Sequence, residues 1–140
     1  DQAGIKWRVI AISACYSGGF VEPLKDERTL VMTASDANNT SFGCGVDSDL
    51  TYFGKAYFDQ ALRGTFSFEE AFETAKVAIA QRELTLGLKA SNPQLFVGDA
   101  IAAKLRHMER RFARAAGALP PTAQCRGDTA ACGAAAAGAN

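Results

Sequence analysis

Histidine is nearly missing from this chain: its 140 residues hold one, His107, far from any of the four cysteines. No two cysteines stand in Cys-x-x-Cys spacing, so a zinc site finds too few ligands within reach of one another, and neither metal nor cofactor is expected. An excess of charge is missing too. Fifteen Lys and Arg balance 15 Asp and Glu, for a net charge of +0. No global field then favours nucleic acid, which is excluded as a partner. No apolar run approaches the length of a membrane span. One local bias remains: Lys104, Arg106, Arg110, Arg111 and Arg114 share a predicted helix with Glu109 as the one acid among them. That basic face leaves a membrane contact open without indicating one. Its simpler role is a solvated face whose cations favour a helix C-terminus.

From Gly117 onward the chain reads GALPPTAQCRGDTAACGAAAAGAN, with no large apolar residue after Leu119. Such a segment buries too little to offset its ordering entropy. The expectation is one domain over residues 1–116 and a disordered Ala/Gly/Pro-rich tail over 117–140. Cys125 and Cys132 fall in that tail, which argues against a disulfide framework. The sequence opens at Asp1 and enters a strand within a few residues, which reads as a cut through a larger protein with strands missing upstream.

Trp7–Ser13 (WRVIAIS) and Thr29–Ala34 (TLVMTA) are short, apolar and β-branched, the pattern of buried strands. Pro23 limits Phe20–Lys25 to about one helical turn. Ser35–Asp47 is a polar loop rich in Asn, Asp, Ser and Gly. Asp49 is the expected N-cap of a helix over Leu50–Leu62, closed by Gly64. Ser67-Phe68-Glu69-Glu70 is a capping-box pattern opening a helix to about Leu86, with Phe68, Phe72, Ala75 and Ile79 on one stripe and Gly87 as its stop. Gln94–Val97 is a third strand. A last helix from Asp99 carries Ile101, Leu105, Met108, Phe112 and Ala115 as an apolar seam. Buried strands separated by helices predict an α/β fold, a mostly parallel sheet with helices on its faces.

In such sheets ligands bind at the carboxyl ends of strands. Cys15 stands just past the first strand, followed by Ser17-Gly18-Gly19. Small residues there admit a substrate to the backbone and leave the Cys15 amide free to stabilise an oxyanion, which suits acyl transfer. From position alone, a buried structural thiol fits as well. Other cysteine chemistries fail on spacing. A phosphatase loop needs an arginine where Val21 stands, and a thioredoxin-like pair needs a cysteine where Gly18 stands. Two adjacent glycines do not make a dinucleotide fingerprint.

The run Ile12-Ser13-Ala14-Cys15-Tyr16-Ser17-Gly18-Gly19-Phe20 resembles the nucleophile segment of the caspase and legumain clan. Thr33–Cys44 (TASDANNTSFGC) is similar to the second substrate loop of the legumain family, and Thr51-Tyr52-Phe53-Gly54 before an aromatic-rich helix also fits. Ser41-Phe42-Gly43-Cys44-Gly45 with Thr51–Gly54 looks most like bacterial members. The resemblance spans about residues 7–98, and three blocks in this order are more specific than the cysteine segment alone. It implies a caspase-like three-layer sandwich, here its C-terminal part, and a thiol endopeptidase acting on peptide or protein substrates through a thioester, with a bacterial envelope location. It implies that Cys15 attacks the scissile carbonyl, that Ser13 lines the pocket for the substrate side chain before the cut, and that Thr40 and Ser41 form its wall. Asparagine-cleaving relatives carry acids where Ser13 and, across a small gap, Lys55 stand here. The expected preference is therefore for a neutral or acidic side chain.

Caspase-type enzymes place their histidine roughly 50 residues before the cysteine. His107 comes after Cys15, among polar neighbours, and reads as a surface residue. The catalytic histidine is expected upstream, and this chain alone is expected to be inactive. Gln124-Cys125-Arg126-Gly127 superficially matches a caspase signature, but without a preceding strand and inside the low-complexity tail. Cys44 reads as a loop or core cysteine, and Asp47 and Asp49 as turn and capping residues because no glutamate closes a calcium loop. Three alternatives stay open: a transpeptidase, a non-catalytic caspase-like scaffold, and an unrelated Rossmann-like domain with a structural cysteine. Oligomeric state is not legible.

Overall fold

A computed structural model describes residues 3–43 and 50–118. Cys44, Asp47, Asp49 and the segment with Cys125 and Cys132 lie outside the described residues. Three strands, β1 (Arg8–Ile12), β2 (Thr29–Thr33) and β3 (Gln94–Val97), form one sheet in the order β1-β2-β3. A 3-10 turn (Ser17–Phe20) and the one-turn helix α1 (Val21–Leu24) join β1 to β2. Helix α2 (Tyr52–Gly54) continues as a π-helical stretch (Lys55–Gln60) and a 3-10 turn (Ala61–Arg63). Helices α3 (Phe68–Thr85) and α4 (Asp99–Ala118) flank β3. Among the described residues no helix is long and apolar enough to cross a membrane.

β2 is central and all five of its residues are buried. Its side chains alternate between two faces, as strand geometry requires. Leu30 and Met32, with Ala34 beyond the strand, share one core with Phe53, Tyr57, Phe72, Ile79, Ile101 and Leu105, so α2, α3 and α4 cover this face. The opposite row, Thr29, Val31, Thr33 and Ser35, faces the side of the 3-10 turn and α1. There Ser17 bonds Ser35, and the Lys25 ammonium lies 5.3 Å over the ring of Phe96, the register partner of Val31.

The first strand departs from the expectation of full burial. Val9 is 41 % exposed and the strand alternates between half-buried and exposed, because β1 is at the edge and the helices pack over β2. The sheet also departs from the mostly parallel arrangement: β1 and β2 are parallel, whereas β3 runs antiparallel to β2. The cause is where α3 returns the chain. The Asp36 N–H donates to Ser91 O (2.9 Å) just past the end of β2, so the chain enters β3 beside the end at which β2 finishes.

Local signals act largely as read. The Ser67 hydroxyl caps α3 by accepting from Glu70 N–H. The reciprocal half of the capping box is replaced by a relay, in which Ser67 N–H donates to Thr65 Oγ1 (3.1 Å) and that hydroxyl donates to Glu70 (2.6 Å). Gly87 ends the helical run at φ +65°, a conformation glycine adopts without penalty. The N-cap before α2 is Thr51 rather than Asp49: its hydroxyl accepts from Gly54 N–H at 2.9 Å. Along α4, Ile101 and Leu105 are buried and Met108 is half-buried, while Phe112 is half-exposed against Phe66 and Ala115 is exposed. The predicted seam is thus used only along its first half, and the helix runs on through Gly117 to Ala118.

Candidate active site

Cys15 stands on an exposed elbow three residues past the end of β1. The residue after it, Tyr16, adopts φ 57°, a left-handed conformation uncommon outside glycine and often found where a functional side chain is presented. Two sets of hydrogen bonds hold this strained turn. Tyr16 N–H donates to Asn39 O at 2.9 Å. Ser17 and Ser35 are joined reciprocally: Ser17 N–H donates to Ser35 Oγ (3.1 Å) and Ser35 N–H to Ser17 Oγ (3.2 Å), both hydroxyls being fully buried. Ser35 Oγ also donates to Ala14 O at 3.2 Å, tying the elbow from the other side of the cysteine.

Gly18 is required by contact rather than by turn geometry. A Cβ there would lie 2.6 Å from the backbone of Asp36 and Ala37, so only glycine lets the elbow dock on the second loop. Gly19 N–H is engaged by Tyr16 O at 3.2 Å. With the amides of Tyr16, Ser17 and Gly19 committed, those of Cys15 and Gly18 are the elbow donors left to consider for an oxyanion.

The thiol itself meets Ser41. Sγ lies 3.4 Å from Ser41 O, to which it donates, and 3.4 Å from Ser41 N, whose N–H donates to sulfur; Ser41 Oγ is 3.7 Å away. Ser13 stands two residues before Cys15, immediately past the end of β1. Ser13 Oγ pairs at 2.7 Å with Thr51 Oγ1, the hydroxyl that caps α2. Tyr52 N–H donates to Phe42 O at 3.0 Å, which fastens the Ser41 loop to the same helix start.

The structure therefore brings Ser13, Cys15 and Ser41 together at the ends of β1 and the loop after β2. Thr40 is exposed next to Ser41. Lys55 stands one turn beyond Thr51, exposed, with its ammonium 3.3 Å from Asp59. Lys55 holds the Asp59 carboxyl below its ordinary range, chiefly by hydrogen bonding and charge. Thr51 is a site residue that sequence reading missed; a threonine directly before the Tyr-Phe-Gly helix start was its available signal. The Ser17–Ser35 pair and the bond from Asn92 to Asp36 were missed because the partners are 18 and 56 positions apart in sequence. His107 is exposed on α4, whereas the hydrogen-bond partners of the Cys15 thiol are all atoms of Ser41. Among the described residues no three His, Cys, Asp or Glu side chains cluster as metal ligands.

An exposed cysteine on a left-handed turn past the carboxyl end of a strand, with a backbone N–H donating to its sulfur, marks the site of an α/β protein. The family is specific: the Peptidase C13 family model matches residues 1–104, and the chain belongs to that family. Membership implies a cysteine peptidase. No match was found among curated proteins.

Proposed function

We propose that Cys15 is the nucleophile of a cysteine endopeptidase whose catalytic histidine is supplied from outside these 140 residues. The observation that carries this reading is the exposed Cys15 thiol held on its elbow with the Ser41 N–H 3.4 Å from sulfur. A donor to sulfur favours the thiolate over the thiol, the form that attacks. The thiolate adds to the scissile carbonyl carbon, and the oxyanion so formed is met by the Cys15 amide. Collapse breaks the C–N bond, the amine leaves with a proton from the histidine, and a thioester remains. Water hydrolyses it, releasing the acid and the thiol.

Ser13 forms the floor of the pocket for the side chain before the cut, and Thr40 and Ser41 its wall. Thr51 extends that floor through its hydroxyl pair with Ser13. These groups are uncharged, so nothing in the floor compensates a cationic side chain. Lys55 would meet an acidic side chain by exchanging its exposed partner Asp59. The reading is thus a preference for neutral or acidic residues, on a domain completed upstream into a caspase-like sandwich.

The test is turnover of peptides bearing Asn, Asp, Ser or Lys before the cut by the full-length protein. Cys15→Ala is expected to abolish cleavage, Lys55→Ala to lower the rate on Asp relative to Ser, and residues 1–140 alone to show none. Undiminished cleavage by the Cys15→Ala protein sinks the assignment. A strong Asn preference at neutral pH sinks the pocket reading.

A further inference from the structure

In the loop after β2 one carboxylate gathers side chains from the loop and from residue 92. Asp36 accepts three hydrogen bonds, from Asn39 Nδ2 at 2.7 Å, Asn38 N–H at 2.8 Å and Asn92 Nδ2 at 3.0 Å. These bonds, that from Asn92 foremost and then that from Asn38, keep its carboxyl below the ordinary range although burial opposes them. The loop so fixed touches the elbow at three points. Asn39 O accepts from Tyr16 N–H, the backbone of Asp36 and Ala37 lies against Gly18, and Ser41 brackets the Cys15 sulfur.

We propose that Asp36 is a positioning residue for Cys15, fixing through Asn39 the loop backbone that carries the Ser41 N–H to the sulfur. It touches no substrate; it sets where the thiolate's donor stands. An ionised carboxylate only accepts, so it turns the Asn39 amide with its NH2 inward and defines that side chain's orientation. Asn39 Oδ1 is buried with no partner among the described residues, so the bond to Asp36 is the one side-chain bond that holds Asn39 there. From Asn39, Ser41 is two residues away along the chain, too short a span to drift while Asn39 is fixed. The Ser41 carbonyl, also 3.4 Å from Sγ, favours the protonated thiol, whereas the N–H favours the thiolate. Small displacements of this one peptide segment therefore change both hydrogen bonds on the Cys15 sulfur.

This rests on Cys15 being the reactive thiol, yet it can be tested without peptidase activity. The measurement is the rate of iodoacetamide alkylation of Cys15 against pH, read by mass spectrometry of its peptide, on the full-length protein. Asp36→Ala is expected to change the alkylation rate of Cys15 at neutral pH by about threefold or more, the order of effect of losing one hydrogen bond. Asn92→Ala, which removes one donor to Asp36 but leaves Asp36 bonded to Asn39 and its N–H on Ser91 O, is expected to change the rate by less than about a third as much. If Asp36→Ala does not fold by circular dichroism, Asp36→Asn replaces it. That variant keeps an acceptor for Asn38 N–H but sets an NH2 against the donors of Asn39 or Asn92, and a change of similar size is expected. An unchanged alkylation rate overturns the proposal, as do equal changes in the Asp36 and Asn92 variants. Failure here with intact Cys15-dependent turnover in the full-length protein would leave the peptidase reading standing.

Discussion

Thr51 joins the stability of the fold to the geometry of the site, and replacing it tests both. In Thr51→Ala, Gly54 N–H loses its acceptor at 2.9 Å while Gly54 stays buried, so water is poorly placed to substitute. Loss of such a cap costs about 0.5–2 kcal/mol, typically about 1. The second lost bond, to Ser13 Oγ at 2.7 Å, is between groups that solvent reaches, and adds at most about 0.5 kcal/mol. The expected total is about 1–2 kcal/mol. With a urea dependence of about 1.5 kcal/mol per molar, within the range for small proteins, the unfolding midpoint falls by roughly 0.7–1.3 M. Thr51→Ser keeps the hydroxyl and is expected to stay within about 0.5 kcal/mol of the parent, since serine caps at least as well as threonine. A double-mutant cycle with Ser13→Ala isolates the hydroxyl pair. The reasoning is refuted if Thr51→Ala lies within about 0.3 kcal/mol of the parent, or if Thr51→Ser loses as much as Thr51→Ala.

Phe72, 1 % exposed in the core and 6.4 Å from the ring of Phe53, is expected to lose about 3–5 kcal/mol on truncation to alanine, measured by denaturant unfolding. Gly18→Ala forces a Cβ to within 2.6 Å of the Asp36–Ala37 backbone, so it should lower stability by more than about 1 kcal/mol and change Cys15 alkylation; an unaltered alkylation rate would contradict the docking of elbow on loop. Burial of Tyr57 pushes its phenol up from 10.0 to about 12. The folded state therefore holds the proton more tightly than the unfolded chain. This contribution is fully present below pH 10 and is lost as pH rises towards 12, so Tyr57→Phe should flatten the alkaline fall in melting temperature.

Much of the fold was legible because its signals are local. The Ser67 cap, the Gly87 stop, the strand at Thr29–Thr33 and the stripe Phe72, Ala75, Ile79 each depend on residues within a turn or two of one another. The cysteine elbow was legible for the same reason: a β-branched run, one cysteine and two glycines are contiguous. Misreadings came where a neighbour distant in sequence decides. Trp7–Ser13 and Thr29–Ala34 look alike as apolar runs, yet only the second is covered by helices on the sheet. The start of α2 was assigned to Asp49 by residue type, while the bond to Gly54 selects Thr51.

By itself the sequence determined the α/β alternation, the placement of Cys15 past a strand in a glycine turn, and the motif blocks of the family, because propensity, periodicity and spacing are properties of contiguous residues. Tertiary structure alone decided that β3 runs antiparallel, that Ser41 brackets the sulfur, that Thr51 meets Ser13 and that Asp36 fastens the loop beneath them. Those contacts join residues 26, 38 and 56 positions apart, and no local preference encodes which backbone amide will face a given side chain once the sheet has closed.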